Sequence, residues 1–129
     1  MKPQTQPLIQ APVIGVVDDD LAVRNSLKFV LELEGFTVRA YRSGAELLAA
    51  DNFRDCSCLV IDQRMPGMNG MELIARLREC HVTTPAILII SSPNAALSAR
   101  AATAQVPIIE KPLLNNALVE RIQEACAGS

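Results

Sequence analysis

The stretch Cys58-Leu-Val-Ile-Asp-Gln-Arg-Met-Pro-Gly-Met-Asn-Gly70 decides the fold of this chain. Its first four residues are apolar without interruption, which is typical of a parallel strand that is covered on both faces. Asp62 follows this strand, and the turn-forming residues after it can continue neither a strand nor a helix. The stretch therefore predicts a buried strand that leads directly into a charged loop at the edge of a sheet.

Similar short runs rich in β-branched residues alternate along the chain with segments of helical period. The predicted strands are residues 13–17, 37–41, 58–61, 86–90 and 106–109. A crossover helix is predicted after each strand, because apolar residues recur there at the spacing of one helical face. In the first helix this face comprises Val23, Leu27, Val30, Leu31 and Leu33. Five such β-α units with right-handed crossovers predict an α/β fold with an open, doubly wound parallel sheet.

Length and composition indicate one globular domain. The chain has 129 residues, of which 50% are hydrophobic and 20% are charged, so it is long enough to bury a substantial core. The net charge of -2 and the lack of a basic run argue against direct binding to nucleic acid. Three of the eight prolines lie within residues 1–12, which we predict to be a flexible lead-in to a domain at residues 13–129.

The same composition argues against two further classes of protein. The four cysteines lack the spacing of a zinc site, and reduced thiols are the expected state. No apolar stretch approaches the roughly 20 residues that a membrane-spanning helix needs, and the first residues do not resemble a signal peptide. We therefore expect a cytoplasmic protein with no membrane partner.

Charged residues follow three of the predicted strands. Asp18 and Asp19 follow the first strand, Asp62 follows the third, and Lys111 lies just after the fifth. Ligands of such sheets bind beyond the carboxyl ends of the strands, where the strand order reverses. If the first and third strands are neighbours, the carboxylates converge and repel one another unless a cation is present. Hard oxygen ligands of this kind suit Mg²⁺.

Some of these residues also have a purely structural interpretation. Asp20 directly precedes the first helix, and we interpret it as the cap of that helix. Asp18 and Asp19 precede the cap, so capping does not account for them. Lys111 could simply face solvent, but an ammonium that pairs with Asp62 would offset the cost of burying a charge at the end of an apolar strand.

Three segments together resemble the receiver domain of two-component response regulators, in particular receivers of the nitrogen-fixation type. The segments are Val16-Val-Asp-Asp-Asp20, Asp62-Gln-Arg-Met-Pro-Gly-Met-Asn-Gly70 and Glu110-Lys-Pro112. The resemblance covers nearly all of the chain after Val13. It implies a flavodoxin-like (CheY-like) fold with strand order 2-1-3-4-5 and five helices.

The resemblance also implies roles for the charged residues. Asp62 would be the phosphoacceptor, which receives a phosphoryl group from a sensor histidine kinase or a histidine phosphotransfer protein. Asp19, Asp62 and the main-chain carbonyl of Arg64 would bind Mg²⁺ or Mn²⁺, and Asp18 would act through a bound water. Lys111 would contact the phosphoryl group. A receiver assists its own phosphorylation and dephosphorylation but is not a turnover enzyme.

Further expectations follow from the same family. The peptide bond between Lys111 and Pro112 is expected to be cis. A kinase would dock on the first helix, through the outer rim formed by Val23, Asn25 and Leu27, and a downstream protein target would read the phosphorylated state. The chain ends after the last predicted helix, and we expect it to act as a stand-alone receiver. Its oligomeric state is left open.

The sequence departs from the usual receiver pattern at its switch positions. Receivers commonly carry an aromatic residue three positions before the conserved lysine, and this chain has Ile108 there. They also carry Ser or Thr at the end of the fourth strand. Spacing assigns that position to Ile90, whereas one extra loop residue would assign it to Ser91, whose hydroxyl could contact the phosphoryl group. Gln105 or a neighbour replaces the glycine that usually precedes the fifth strand.

These departures leave two functions open. In the first, Asp62 is phosphorylated and the signal passes through the alanine-rich fourth helix, which buries little apolar volume. In the second, the chain is a degenerate receiver that binds proteins independently of phosphorylation. A phosphatase that uses an aspartyl phosphate is disfavoured, because such enzymes commonly show Asp-x-Asp at the nucleophile and here Gln63 and Arg64 follow Asp62.

Overall fold

The computed structural model describes residues 11–111, 113 and 116–127. Its five strands form one parallel sheet in the order β2-β1-β3-β4-β5, which confirms the predicted fold and strand order. The strands are β1 (Val13–Val17), β2 (Thr37–Tyr41), β3 (Cys58–Asp62), β4 (Ala86–Ile90) and β5 (Ile108–Glu110). The helices are α1 (Leu21–Leu33), α2 (Gly44–Ala50), α3 (Gly70–Glu79), α4 (Ala95–Thr103) and α5 (Ala117–Ala127), with a 3₁₀ turn at Phe53–Asp55.

Two predictions fall outside the described residues. The first is the flexibility of the lead-in, because residues 1–10 are not described. The second is the cis peptide bond between Lys111 and Pro112, because residue 112 is not described. Within the part of the chain that is described, no helix combines the length and the apolarity needed to cross a membrane.

Apolar layers cover both faces of the sheet. On one face, Leu47 of α2, Leu73 of α3 and Leu97 of α4 pack in one cluster with β3 and β4. On the other face, Leu31 of α1 and Ile122 of α5 form a second cluster with β1 and β3. Every residue of β3 is buried, as expected for a central parallel strand that is covered on both sides.

The register of the sheet brings the acidic strand ends together. β1 and β3 are neighbours, and Val17 pairs with Ile61. Asp18 follows Val17, and Asp62 follows Ile61. The two carboxylates therefore lie on adjacent strands at the same edge of the sheet. Asp20 then begins α1, because its side chain accepts hydrogen bonds from the amides of Ala22 at 2.9 Å and Val23 at 3.3 Å. The predicted capping role of Asp20 is thus confirmed.

Three strand boundaries differ from the prediction, and one of them is the end of β5, which lies at Glu110 rather than at residue 109. β3 continues to Asp62, one residue beyond its predicted end. β5 begins at Ile108 rather than at residue 106, for two reasons. The Val106 amide donates to the Ala101 carbonyl at 2.8 Å, which closes the end of α4, and Pro107 has no amide hydrogen. The preceding Gln105 has a left-handed backbone with φ 60°, at the position where the family usually carries glycine.

The prediction for α1 was wrong for two of its five apolar residues. Leu27 and Leu31 are buried against the sheet and Val23 is partly buried, but Val30 is 47% exposed and Leu33 is 72% exposed. At 3.6 residues per turn, Val30 and Leu33 lie roughly 60° and 120° around the helix from Leu27, which is too far to reach the sheet. Together with Phe29, these two residues form the α1 apolar face, and all three are exposed. Leu21 is also exposed, but it lies on the opposite side of the helix from Val30.

Candidate functional site

Three carboxylates converge at the carboxyl ends of β1 and β3. One oxygen from each of Asp18, Asp19 and Asp62 lies within 4.8 Å of the other two. Asp18 and Asp62 are buried, with 3% and 4% of their surface exposed, whereas Asp19 is exposed. The structure therefore brings together the acidic residues that the sequence placed at separate strand ends.

Asp18 is held by the loop that connects β1 to α1. Its Oδ1 accepts a hydrogen bond from the Asp20 amide at 2.9 Å, and its carbonyl accepts one from Arg24 Nη1 at 2.8 Å. Burial raises the pKa of the Asp18 carboxyl, while the Asp20 amide and the charge of Lys111 oppose this rise. Sequence reasoning missed the contribution of Arg24, which is one helical turn into α1 and gave no motif signal.

Asp62 pairs with the predicted lysine. Lys111 Nζ lies 3.3 Å from Asp62 Oδ1, and the Lys111 amide donates to the Ile90 carbonyl at 2.8 Å, which fastens the lysine to the end of β4. Burial and the charge of Asp18 raise the pKa of the Asp62 carboxyl, and Lys111 opposes them. Oδ1 is buried, and apart from this ion pair it accepts no hydrogen bond among the described residues.

These carboxylates can hold a small divalent cation. One lysine ammonium faces up to three negative charges, and a buried Asp62 oxygen still has unused lone pairs. Only oxygen ligands are offered, which is the donor type that Mg²⁺ and Mn²⁺ prefer. The residues therefore fit a hard divalent cation, and they do not fit a softer metal that needs thiolate or imidazole.

The loop after Asp62 is tied to both β4 and α3 through Gln63. The Gln63 amide donates to the Ile89 carbonyl at 2.9 Å, and its carbonyl accepts from the Gly70 amide at 3.1 Å. Its side-chain Oε1 accepts from the Met71 amide at 2.9 Å. Arg64, whose carbonyl the resemblance assigns to the metal, is the next residue and is exposed.

Gly70 allows α3 to begin close to the site. A Cβ at this position would lie 2.6 Å from Leu88 Cδ1 and 2.7 Å from the Asp62 carbonyl oxygen. Any side chain would therefore push the first turn of α3 away from the end of β3. Sequence reasoning treated Gln63 and Gly70 only as loop residues, since each acts through contacts with distant strands.

The predicted switch positions lie at β4 and β5, on the side of Asp62 that is opposite to β1. Ile90 is the last residue of β4, and its side chain is buried in the core beneath α3 and α4. Ser91 is exposed at the start of the following loop, and Ile108 is partly buried in β5. Ile90 and Ser91 line a groove of about 480 Å³ that Arg64 and Arg100 border.

Comparison with known proteins identifies the domain. A family model described as the response regulator receiver domain matches residues 14–123. The chain belongs to this family. It is 36% identical over 114 residues to the transcriptional regulatory protein FixJ of Rhizobium meliloti, which covers 87% of this chain and 55% of that protein. It is 32% identical to the C4-dicarboxylate transport transcriptional regulatory protein DctR of Rhodobacter capsulatus, over 89% of this chain and 60% of DctR.

Solved receiver structures agree with this assignment. The crystal structure of FixJ-N superimposes with a TM-score of 0.81 at 33% identity, and the match covers 94% of this chain and 98% of FixJ-N. This receiver domain spans little more than half the length of the two curated relatives. Response regulator receivers are not turnover enzymes, which agrees with the expectation from the sequence.

Proposed function

We propose that this receiver domain accepts a phosphoryl group on Asp62 from the phosphohistidine of a sensor histidine kinase or a histidine phosphotransfer protein. One observation carries the proposal: a buried carboxylate lies 3.3 Å from the Lys111 ammonium and shares its pocket with two further carboxylates. Three carboxylates with a single ammonium between them are costly to maintain without a further positive charge. The comparisons do not support the alternative of a phosphorylation-independent binding module.

In the proposed reaction, a carboxylate oxygen of Asp62 attacks the phosphorus atom. The bond between phosphorus and the donor histidine breaks, a mixed anhydride forms on Asp62, and the electron pair returns to the imidazole nitrogen. Attack on an anionic donor requires its negative charge to be offset. Lys111 Nζ lies where it can contact a phosphoryl oxygen next to Asp62.

The remaining acidic residues have supporting roles in this proposal. Asp19, Asp62 and the Arg64 carbonyl would hold Mg²⁺ or Mn²⁺, and Asp18 would contact the ion through a water molecule. When bound, the ion supplies positive charge and orients the phosphoryl oxygens. Asp18 remains fixed by the Asp20 amide and by Arg24, so its carboxylate faces the pocket whether or not the ion is present.

Phosphorylation would be sensed without the usual pair of switch side chains. Ile90 offers no hydroxyl and Ile108 offers no aromatic ring, so the exposed Ser91 is the candidate for contact with the phosphoryl group. The following helix, α4, buries only Leu97 and Ala101 among its residues. We propose that the β4–α4 loop and this weakly anchored helix change conformation and present the signal to a downstream protein target.

The phosphodonor would dock on the α1 apolar face. The large exposed hydrophobic residues of the described chain all lie on this helix, and its first turn begins beside the acidic pocket. Leu27, which the sequence suggested as a contact, is buried and is not available to a partner. A receiver that is phosphorylated by a sensor kinase would work in the cytoplasm, and we propose that location for this domain. We propose no direct contact with nucleic acid or membrane.

A phosphorylation assay tests the central proposal. The protein is incubated with acetyl phosphate, with and without Mg²⁺, and incorporated phosphate is followed by intact-mass spectrometry. We expect the mass of the wild-type protein to increase only when Mg²⁺ is present. Asp62→Asn should abolish this increase, whereas Asp55→Asn, a control at an exposed position, should show it unchanged. A wild-type protein that acquires no label from acetyl phosphate or from any histidine-phosphorylated donor would contradict the proposal.

A further inference from the structure

Gln63 uses three of its polar groups to join separate elements. Its amide donates to the Ile89 carbonyl of β4, and its own carbonyl accepts from the Gly70 amide of α3. The side-chain Oε1 accepts from the Met71 amide, the second in that helix. One residue therefore connects the end of β3, the neighbouring strand and the first turn of α3.

The first turn of α3 depends on this side chain. The four amides at the start of a helix lack partners within the helix. Asn69 and Glu72 form a capping box that satisfies two of the amide groups at this end of the helix. Within the described structure, the amides of Gly70 and Met71 are satisfied by Gln63 alone. Met71 is buried, so its amide would be left without a partner if the Gln63 side chain lost its oxygen.

The same contacts close the loop that follows the phosphoacceptor. Both ends of the segment from Arg64 to Asn69 are held, because Gln63 before it is bonded directly to Gly70 and Met71 after it. The Gln63 side chain thus bridges the base of the loop that begins with Arg64, through its hydrogen bond to the Met71 amide. Loss of the side-chain oxygen would remove one of the two bonds that close the loop and leave only the bond from the Gly70 amide to the Gln63 carbonyl.

We propose that Gln63 is a positioning residue, whose side chain holds the loop so that the Arg64 carbonyl faces the divalent cation beside Asp62. This inference rests on the proposed function, because it requires a cation at the acidic pocket. Residues that orient metal ligands without touching the metal typically change its affinity by 10–100-fold when they are replaced. A residue that only stabilised α3 would instead lower the stability of the fold and leave the cation affinity of the folded protein unchanged.

The test compares variants at the two ends of α3. Gln63→Leu removes the acceptor oxygen. Gln63→Asn shortens the side chain by one carbon and so moves the oxygen away from the Met71 amide, whereas Gln63→Glu keeps an oxygen on a side chain of the same length. Arg78→Met is the matched control, because it removes a hydrogen bond of 2.7 Å from Arg78 to the Val82 carbonyl at the far end of the same helix. Mn²⁺ affinity is measured by electron paramagnetic resonance, and exchange of the Met71 amide is measured by hydrogen-deuterium NMR, both under conditions in which each variant is folded.

We expect Gln63→Leu and Gln63→Asn to weaken Mn²⁺ binding by roughly tenfold and to accelerate exchange of the Met71 amide. Gln63→Glu should recover most of the affinity, and Arg78→Met should bind Mn²⁺ as the wild-type protein does. If the wild-type protein binds Mn²⁺ and both Gln63→Leu and Gln63→Asn bind it equally well, the role of Gln63 is overturned and the proposed function stands. If the wild-type protein binds no divalent cation, the proposed function fails, and the role of Gln63 fails with it.

Discussion

Replacement of Asp18 by Asn should stabilise the protein when no divalent cation is present. The substitution removes a buried negative charge that faces Asp62 and Asp19 within 4.8 Å, yet an Asn oxygen can still accept the hydrogen bond from the Asp20 amide. The pair of Asp62 and Lys111 is left intact. The substitution therefore removes the cost of burying the Asp18 charge and its repulsion by the neighbouring carboxylates, together with its attraction to Lys111.

The size of the effect follows from the geometry. Two unit charges 4.8 Å apart repel by about 3.5 kcal/mol at an effective dielectric constant of about 20, and by about 0.9 kcal/mol in bulk water. Asp18 is buried, but the open side of the pocket carries the exposed Asp19. We therefore expect the free energy of unfolding to increase by about 1–3 kcal/mol near pH 7 in the presence of a chelator.

The dependence on pH has a definite sign. The folded-state pKa of Asp18 is raised by burial, so the charged form destabilises the folded state at pH values above that pKa. Protonation removes the repulsion as the pH falls through the raised pKa. The advantage of Asp18→Asn should accordingly be complete at pH values above the raised pKa and disappear at acidic pH.

Urea unfolding followed by circular dichroism measures this difference, with Asp20→Asn as the control. Asp20 is an exposed helix cap, and Asn caps a helix about as well as Asp, so the control should leave stability unchanged. Saturating Mg²⁺ should stabilise the wild-type protein more than the variant and reduce the gap between them. A variant that is less stable than the wild-type protein near pH 7 in chelator would refute the electrostatic reasoning.

Three further predictions concern other parts of the molecule. Gly70→Ala should lower the free energy of unfolding by about 1–3 kcal/mol in urea titrations, because its Cβ would lie 2.6 Å from Leu88 Cδ1; unchanged stability would show that α3 can shift freely. Cys58 is fully buried, and burial raises the pKa of its thiol to about 12, so iodoacetamide should modify it only after unfolding, as detected by mass spectrometry. Phe29→Ser should slow phosphoryl transfer from the cognate kinase by about tenfold or more and leave labelling by acetyl phosphate unchanged, and equal slowing with both donors would argue against docking on the α1 apolar face.

Most of the fold could be read from local sequence patterns. Continuous apolar runs predicted the central strands, and the structure confirms three of the five strands with the predicted bounds. The errors arose where tertiary hydrogen bonds competed with local propensity. Val106 is β-branched and looks like a strand residue, but its amide is taken by the carbonyl of Ala101. The strand therefore starts at Ile108, after a proline that cannot donate to the sheet.

The exposed part of α1 could not be predicted by period alone. Val30 and Leu33 continue the apolar side of the helix roughly 60° and 120° beyond Leu27, and the position of the helix over the sheet decides which of these residues are buried. Helical spacing identifies which residues share a side of the helix, but it does not tell how wide a strip the sheet covers. The two misplaced residues belong to the surface that we propose for docking, where a bound partner would bury them.

Sequence by itself determined the chemistry at each strand end, because strands that are buried on both faces must be apolar and the first charged residue after them marks the edge of the sheet. It thereby identified Asp18, Asp19, Asp62 and Lys111 as one group at a single edge of the sheet. Tertiary structure alone decided the distances within that group, the burial that raises the pKa of Asp62, and the bonds by which Gln63 closes its loop. These properties depend on strand register and on contacts between residues far apart in the chain, and neither is encoded in any local run of residues.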